Sequence, residues 1–166
     1  MSKLNRLWRH LWAGEREARR AFSPAALQSI ADAVAASERL HRGELRVVIQ
    51  GGLGWAALRG VPDSRALALE QFAHQGVWDT AENSGVLIYV LMAEHKLEIL
   101  ADRGIHARVP QAQWDLIAQL ATQSFAQAQH LAGLIAAVEA ISALLALHFP
   151  ALEGNDNELP DAPLRF

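Results

Sequence analysis

Two short apolar stretches, Glu44–Gln50 (ELRVVIQ) and residues 85–92 (GVLIYVLM), decide the fold. Both are rich in β-branched or large apolar residues, which is typical of strands buried on both faces of a sheet. Residues 64–75 between them have a helical pattern, so the two strands should be parallel and joined by a right-handed crossover. Lys96–Ala101 (KLEILA) follows a short turn and alternates polar with apolar residues. This alternation predicts a third, antiparallel strand at the edge of the sheet.

Helical patterns precede and follow the predicted strands along the chain. Ser23 and Pro24 have the pattern of an N-cap and a first-turn proline, and they predict a helix through Leu40. Pro110 opens another helix, and residues 131–149 form the last one. The order of helix, strand, helix, strand, strand and two helices predicts the α/β class. The expected architecture is a three-layer α/β sandwich around a small mixed sheet, with helices on both faces.

Composition describes one globular domain with two charged ends. The chain has 166 residues, of which 51% are hydrophobic, and a net charge of -3, so it can bury a core and has no global attraction for nucleic acid. It has no cysteine, so a metal must bind oxygen or imidazole. We assign residues 1–21 to a basic amphipathic N-terminal helix and residues 22–150 to the α/β domain. Residues 151–166 form an acidic, proline-containing tail that we expect to be extended or mobile.

The N-terminal helix carries its apolar residues on one face. These residues are Leu4, Leu7, Trp8, Leu11 and Trp12. With arginines beside this face, the helix could lie on an anionic membrane. The alternative is that the two tryptophans dock it onto the domain or onto a second subunit. Charges interrupt the segment too often for a secretory signal, so we expect a cytoplasmic protein that could be peripheral to the inner membrane.

Residues 131–149 (LAGLIAAVEAISALLALHF) are long and apolar enough to approach a membrane span. Glu139 lies at the middle of this segment, where an ionised carboxylate would be costly in a bilayer. We therefore predict a core helix that is buried against the sheet. Glu139 should lie near solvent or bind an arginine of the N-terminal helix.

Polar side chains from three separate segments should meet at one edge of the sheet, by which we mean here the edge formed by the ends of the strands and not an outer strand. The two parallel strands begin at this edge and the third strand ends there. Oxygen-rich side chains suit a hard cation such as Ca²⁺ or Mg²⁺, and the candidate metal ligands are Asp79, Asp102 and Glu44. Side chains expected to contact a bound ligand are Asn83, Arg46, Arg103, His41 and Trp78. The alternative is that these groups cap local turns and form salt bridges.

The opposite edge offers only the glycine-rich residues 51–55 (GGLGW). Their spacing does not fit a dinucleotide-binding loop, so we expect a tight turn there and no nucleotide cofactor. The seven histidines contain no H-x-x-x-H pair, and a zinc-binding helix is therefore not predicted.

Residues 78–89 (WDTAENSGVLIY) and 98–105 (EILADRGI) resemble the signature of the TPM domain family. The resemblance spans about residues 22–149 and is strongest to short, stand-alone bacterial members without a signal peptide or membrane anchor. It implies a Rossmann-like α/β sandwich and divalent metal binding in some relatives. It also implies phosphatase activity in plant thylakoid members, and accessory roles beside membrane receptors or in photosystem repair in others. The chain departs from the family pattern at Ser84, where asparagine is common, and at residues 109–111 (VPQ), which replace an L-P-D element.

Two functions of different classes fit these features. The first is an accessory or adaptor protein in or near the membrane, with a cation as its ligand and an unidentified protein partner that could be a membrane protein. The second is a metal-dependent phosphatase, in which Arg46 or Arg103 would neutralise a phosphate oxygen. We favour the adaptor, because the acid of the L-P-D element is absent and no nucleophile or general base stands out among the remaining residues.

Overall fold

A computed structural model describes residues 8–53, 63–152 and 157–166, which form a four-stranded sheet with six helices around it. The strands are β1 (Glu44–Gln50), β2 (Gly85–Leu91), β3 (Lys96–Ala101) and β4 (Leu164–Arg165). The helices are α1 (Gly14–Ala21), α2 (Pro24–Glu38), α3 (Ser64–His74), α4 (Arg103–His106), α5 (Gln111–Ala126) and α6 (His130–His148). A π-helical turn, Arg9–Ala13, leads into α1, and a short 3₁₀ turn, Met92–Glu94, joins β2 to β3.

The three predicted strands have the predicted directions. The sheet order is β3-β2-β1-β4, with β1 parallel to β2 and β3 antiparallel to β2. Alternate residues of the strands face two core layers. Ile49 and Ile88 pack with α2, α5 and α6 on one side, whereas Val48 and Leu87 pack with α3 on the other. The predicted α/β sandwich with helices on both faces is confirmed.

Helix α6 is, among the described residues, the single helix that is long and apolar enough to cross a membrane. It packs against α5 and α2, and Leu134, Val138 and Ile141 are fully buried in the core. Glu139 lies on its exposed side, as predicted.

The C-terminal tail, which the sequence predicted to be extended or mobile, packs along β1. Leu164 and Arg165 pair in parallel with Val48 and Ile49 and form β4. Leu159 is buried in the core layer next to α3. The tail is extended, as expected, but long-range contacts hold it against the sheet.

The two glycines after β1 permit a close approach of the N-terminal helix. A Cβ on Gly52 would meet the main-chain oxygen of His10, and a Cβ on Gly51 would meet Glu15. Neither glycine has a positive φ, so close packing and not the expected tight turn explains them. The helix docks through these small residues and leaves Trp8 and Trp12 exposed. Residues 54 and 55 of the glycine-rich stretch lie outside the described residues.

Candidate functional site

The predicted edge of the sheet collects the predicted segments. The main-chain N–H of Glu44 donates to the oxygen of Ser84 (3.1 Å), and that of Asp102 donates to the oxygen of Gly85 (2.8 Å). The start of β1, the start of β2 and the end of β3 therefore lie side by side, as the topology requires.

The three candidate metal ligands bind protein groups at this edge or face solvent. Glu44 is buried, and its Oε2 accepts hydrogen bonds from the N–H groups of Glu158 and Leu159, both at 3.1 Å. Asp102 Oδ1 caps α4 through the N–H of Arg103 (2.7 Å), and Asp79 is exposed. Their ligand atoms do not converge within the described part of the chain. The tail, whose position the sequence did not predict, thus donates hydrogen bonds to the carboxylate of Glu44. Cation binding by Glu44, Asp79 and Asp102 stays a prediction.

Both arginines expected to meet a ligand are bound by the protein itself. Arg46 donates to the main-chain oxygens of Pro160 (3.0 Å) and Ala162 (2.7 Å). Arg103 donates from Nε to Oδ1 of Asn83 at 2.7 Å, so these two predicted ligand residues bind each other.

The two ring side chains of the predicted ligand set have opposite environments. His41 is fully buried, with its Nε2 3.3 Å from Oγ of Ser37, and burial lowers its pKa. Trp78 is 55% exposed at the surface. His41 is thus part of the core beside α2.

Glu38 is a carboxyl at this edge that the sequence did not single out. Its Oε1 accepts a hydrogen bond from the N–H of Leu45 at 2.8 Å, and Asp161 of the tail bonds to it as well. Burial, assisted by the charges of Glu44 and Asp161, raises the pKa of Glu38 from 4.5 to about 8. The tail therefore brings an acid to this edge, next to a carboxyl that keeps its proton near neutral pH.

The opposite edge, where the sequence predicted no polar cluster, carries a group of Glu17, His95 and His130. Glu17 Oε1 of α1 lies 2.9 Å from Nε2 of His95, in the turn before β3, and 3.5 Å from Nε2 of His130, at the start of α6. The three potential ligand atoms lie within 4.8 Å of one another, so this group could hold a metal ion. The prediction that no comparable group gathers at this edge is wrong, because α1 lies across it.

The surroundings of this group are partly aromatic and partly cationic. The buried ring of His130 packs against Phe125, with centroids 5.4 Å apart, and against His95 at 5.8 Å. Burial lowers the pKa of His130, although the charge of Glu17 opposes that shift. A groove of about 580 Å³ opens beside it; its lining includes Trp8, Arg16, Glu17, Arg20 and His130.

The outer side of the N-terminal helix exposes two tryptophans and three arginines. We name it the Trp–Arg face; its members are Trp8, Trp12, Arg16, Arg19 and Arg20. Both tryptophans are 58% exposed. Of the other predicted contact residues, Leu11 is half-buried and Leu4 lies outside the described residues.

The chain belongs to the TPM domain family, whose profile matches residues 17–144. The solution structure of the BA42 protein from the psychrophilic bacterium Bizionia argentinensis is similar, with 26% identity and a TM-score of 0.76; the match covers 87% of this chain and 94% of BA42. The N-terminal domain of a P. gingivalis protein has the same fold, with 16% identity, a TM-score of 0.65 and coverage of 92% of this chain and 94% of that domain. No curated protein matches the chain.

Proposed function

We propose that this TPM domain is an accessory protein that docks on an anionic membrane surface through its Trp–Arg face. The observation that carries the proposal is the exposure of Trp8 and Trp12, each 58% exposed, on a helix whose Arg16 and Arg20 are also exposed. Isolated apolar side chains are common on protein surfaces, but paired tryptophans beside arginines favour an interface.

The chemistry of the face matches a lipid headgroup layer. Tryptophan prefers the membrane interface, where its ring is buried and its N–H stays hydrated. Each arginine near an anionic surface contributes about 1 kcal/mol of attraction at moderate salt. The positions of Trp8, Trp12, Arg16 and Arg20 are four residues apart, so they follow one another along one side of the helix.

The helix is held firmly enough to present this face. Gly14 of α1 contacts the main chain at Gly51, and His10 contacts Gly52, so the inner side of the helix is in close contact with the end of β1. Nε2 of His10 also lies 3.2 Å from Oε1 of Glu94. The outward side is thereby fixed by the fold, which lowers the entropy lost on docking.

Phosphate-ester hydrolysis receives less support. Arg46 and Arg103, which would neutralise a phosphate oxygen, are hydrogen bonded to the tail and to Asn83. Glu44 is likewise bound by the tail. We therefore propose the accessory role, peripheral to the inner membrane, as the function of this chain.

Vesicle co-sedimentation tests the proposal. The full chain should sediment with vesicles containing anionic lipid, far less with zwitterionic vesicles, and less as salt rises. The Trp8→Ser/Trp12→Ser double variant should lose most of this binding. Trp78→Ser is the matched control, since Trp78 is 55% exposed but lies at the predicted edge, at the other end of the sheet.

Three results would contradict the proposal. They are equal binding to both kinds of vesicle, unchanged binding of the double variant, and an equal loss in the Trp78→Ser control. A dimer in solution that the double variant converts to a monomer, without vesicle binding by the wild type, would instead assign the face to a second copy of the chain.

A further inference from the structure

We infer that Glu17, His95 and His130 form a binding site for a borderline divalent metal ion of the zinc class. This site is separate from the carboxylate edge predicted from the sequence, and the inference does not rest on membrane docking. Three elements that are distant in sequence supply it: α1, the β2–β3 turn and the start of α6.

The spacing of the ligand atoms fits a tetrahedral ion. With metal–ligand bonds of about 2.0–2.1 Å, two ligands of a tetrahedral zinc ion lie about 3.3 Å apart. Oε1 of Glu17 is 2.9 Å from Nε2 of His95 and 3.5 Å from Nε2 of His130, and the two histidine nitrogens lie within 4.8 Å of each other. The two distances from the carboxylate oxygen thus lie on either side of the spacing that a tetrahedral ion requires.

Hydrogen bonding explains the position of one histidine of this group but not that of the other. His95 Nε2 is at hydrogen-bond distance from Glu17, but Nε2 of His130 has no hydrogen-bond partner among the described residues. His130 is 8% exposed, and its buried nitrogen is directed at the same carboxylate oxygen from 3.5 Å. A buried polar nitrogen without a partner is costly, and a metal ion would satisfy it.

The donor set selects the class of metal. Two imidazoles and one carboxylate suit Zn²⁺ and its neighbours Co²⁺ and Ni²⁺, whereas Ca²⁺ and Mg²⁺ require more oxygen ligands. Three protein ligands leave at least one coordination position. Since Glu17 and His130 line the groove that also contains Arg16 and Arg20, water or a small anion can complete the coordination from that side.

The histidines are held in place by their surroundings. The ring of His130 is packed by Phe22 and Phe125. His95 has a φ of 52°, in the left-handed region, where asparagine is among the better tolerated residues. His95→Asn therefore removes an imidazole ligand while it keeps the turn.

Metal titration of the full chain tests the inference. Calorimetry should show one Zn²⁺ per chain, and Co²⁺ should give the visible absorption of a tetrahedral complex. His95→Asn should weaken Zn²⁺ binding at least about tenfold and abolish the Co²⁺ spectrum. His106→Asn is the matched control, because His106 is exposed and lies at the other edge of the sheet.

A second variant and a second readout keep the result decisive. His130→Gln should weaken binding as well, and Zn²⁺ should raise the thermal midpoint of the wild type but not that of His95→Asn. If His130→Gln does not fold, His95→Asn decides the matter alone. Failure of the wild type to bind Zn²⁺ and Co²⁺, equal binding by His95→Asn, or an equal loss in His106→Asn would overturn the site. None of these readouts involves lipid, so the outcome is separate from that of the vesicle experiment.

Discussion

Glu38→Gln should make the protein more stable in mild alkali. Burial raises the pKa of Glu38 from 4.5 to about 8, so the folded state binds a proton that the unfolded state has released. This stabilising proton is fully present below about pH 4.5 and is lost as the pH rises through about 8. The contribution of Glu38 to the free energy of unfolding should therefore fall between these values, and glutamine should remove that fall.

The magnitude follows from proton linkage. Each pH unit in which the folded state holds one extra proton lowers the free energy of unfolding by at most about 1.4 kcal/mol. Because the carboxyl is only half-buried, we take about half of that and expect the wild type to lose about 2 kcal/mol relative to Glu38→Gln between about pH 5 and about pH 8. Glutamine keeps an oxygen for the N–H of Leu45 and offers an N–H to Asp161, so the variant should lose far less.

Urea unfolding followed by tryptophan fluorescence across this pH range measures the difference. The control is Asp32→Asn, since Asp32 is an exposed carboxyl on the same helix and should leave the profile parallel to that of the wild type. Parallel profiles for Glu38→Gln and wild type, or a less stable variant at the alkaline end, would refute the reasoning.

Three further substitutions test a close packing contact, a buried hydrogen bond and an exposed side chain. Gly52→Ala should lower the free energy of unfolding by at least about 2 kcal/mol, because the new Cβ would collide with the main chain at His10; urea unfolding measures it. Glu44→Ala should speed amide hydrogen exchange at Leu159 at least tenfold, since its N–H loses a buried acceptor. Glu139→Leu should change the free energy of unfolding by less than about 1 kcal/mol, because the residue is exposed.

Strands β1 and β3 could be predicted residue by residue because their signal is local. Glu44–Gln50 matches β1, and Lys96–Ala101 matches β3, since each run alone shows its burial pattern. β4 could not be predicted in this way. Two residues show no periodicity, and the contacts that hold the tail, such as those of Arg46 with Pro160 and Ala162, link positions more than a hundred residues apart.

The group of Glu17, His95 and His130 could not be predicted from the sequence either, because it also depends on contacts between distant positions. The hairpin placed His95 at the edge of Gly51 and Gly52, but the sequence predicted a tight turn at these two glycines, whereas the structure shows that another part of the chain approaches them closely. The sequence did not show which part it is. Helix α1 brings Glu17 to a residue 78 positions away, and no spacing motif records such a contact.

The contacts of the tail also protect the outer edge of β1. Without β4, this largely buried strand would end the sheet and offer its N–H and C=O groups to another chain. Glu38 binds the N–H of Leu45 on that side, and the last residues cover the strand from Val48 to Gly51. Removal of residues 157–166 would thus expose a template for edge-to-edge aggregation, so the tail covers an otherwise open strand as well as completing the sheet.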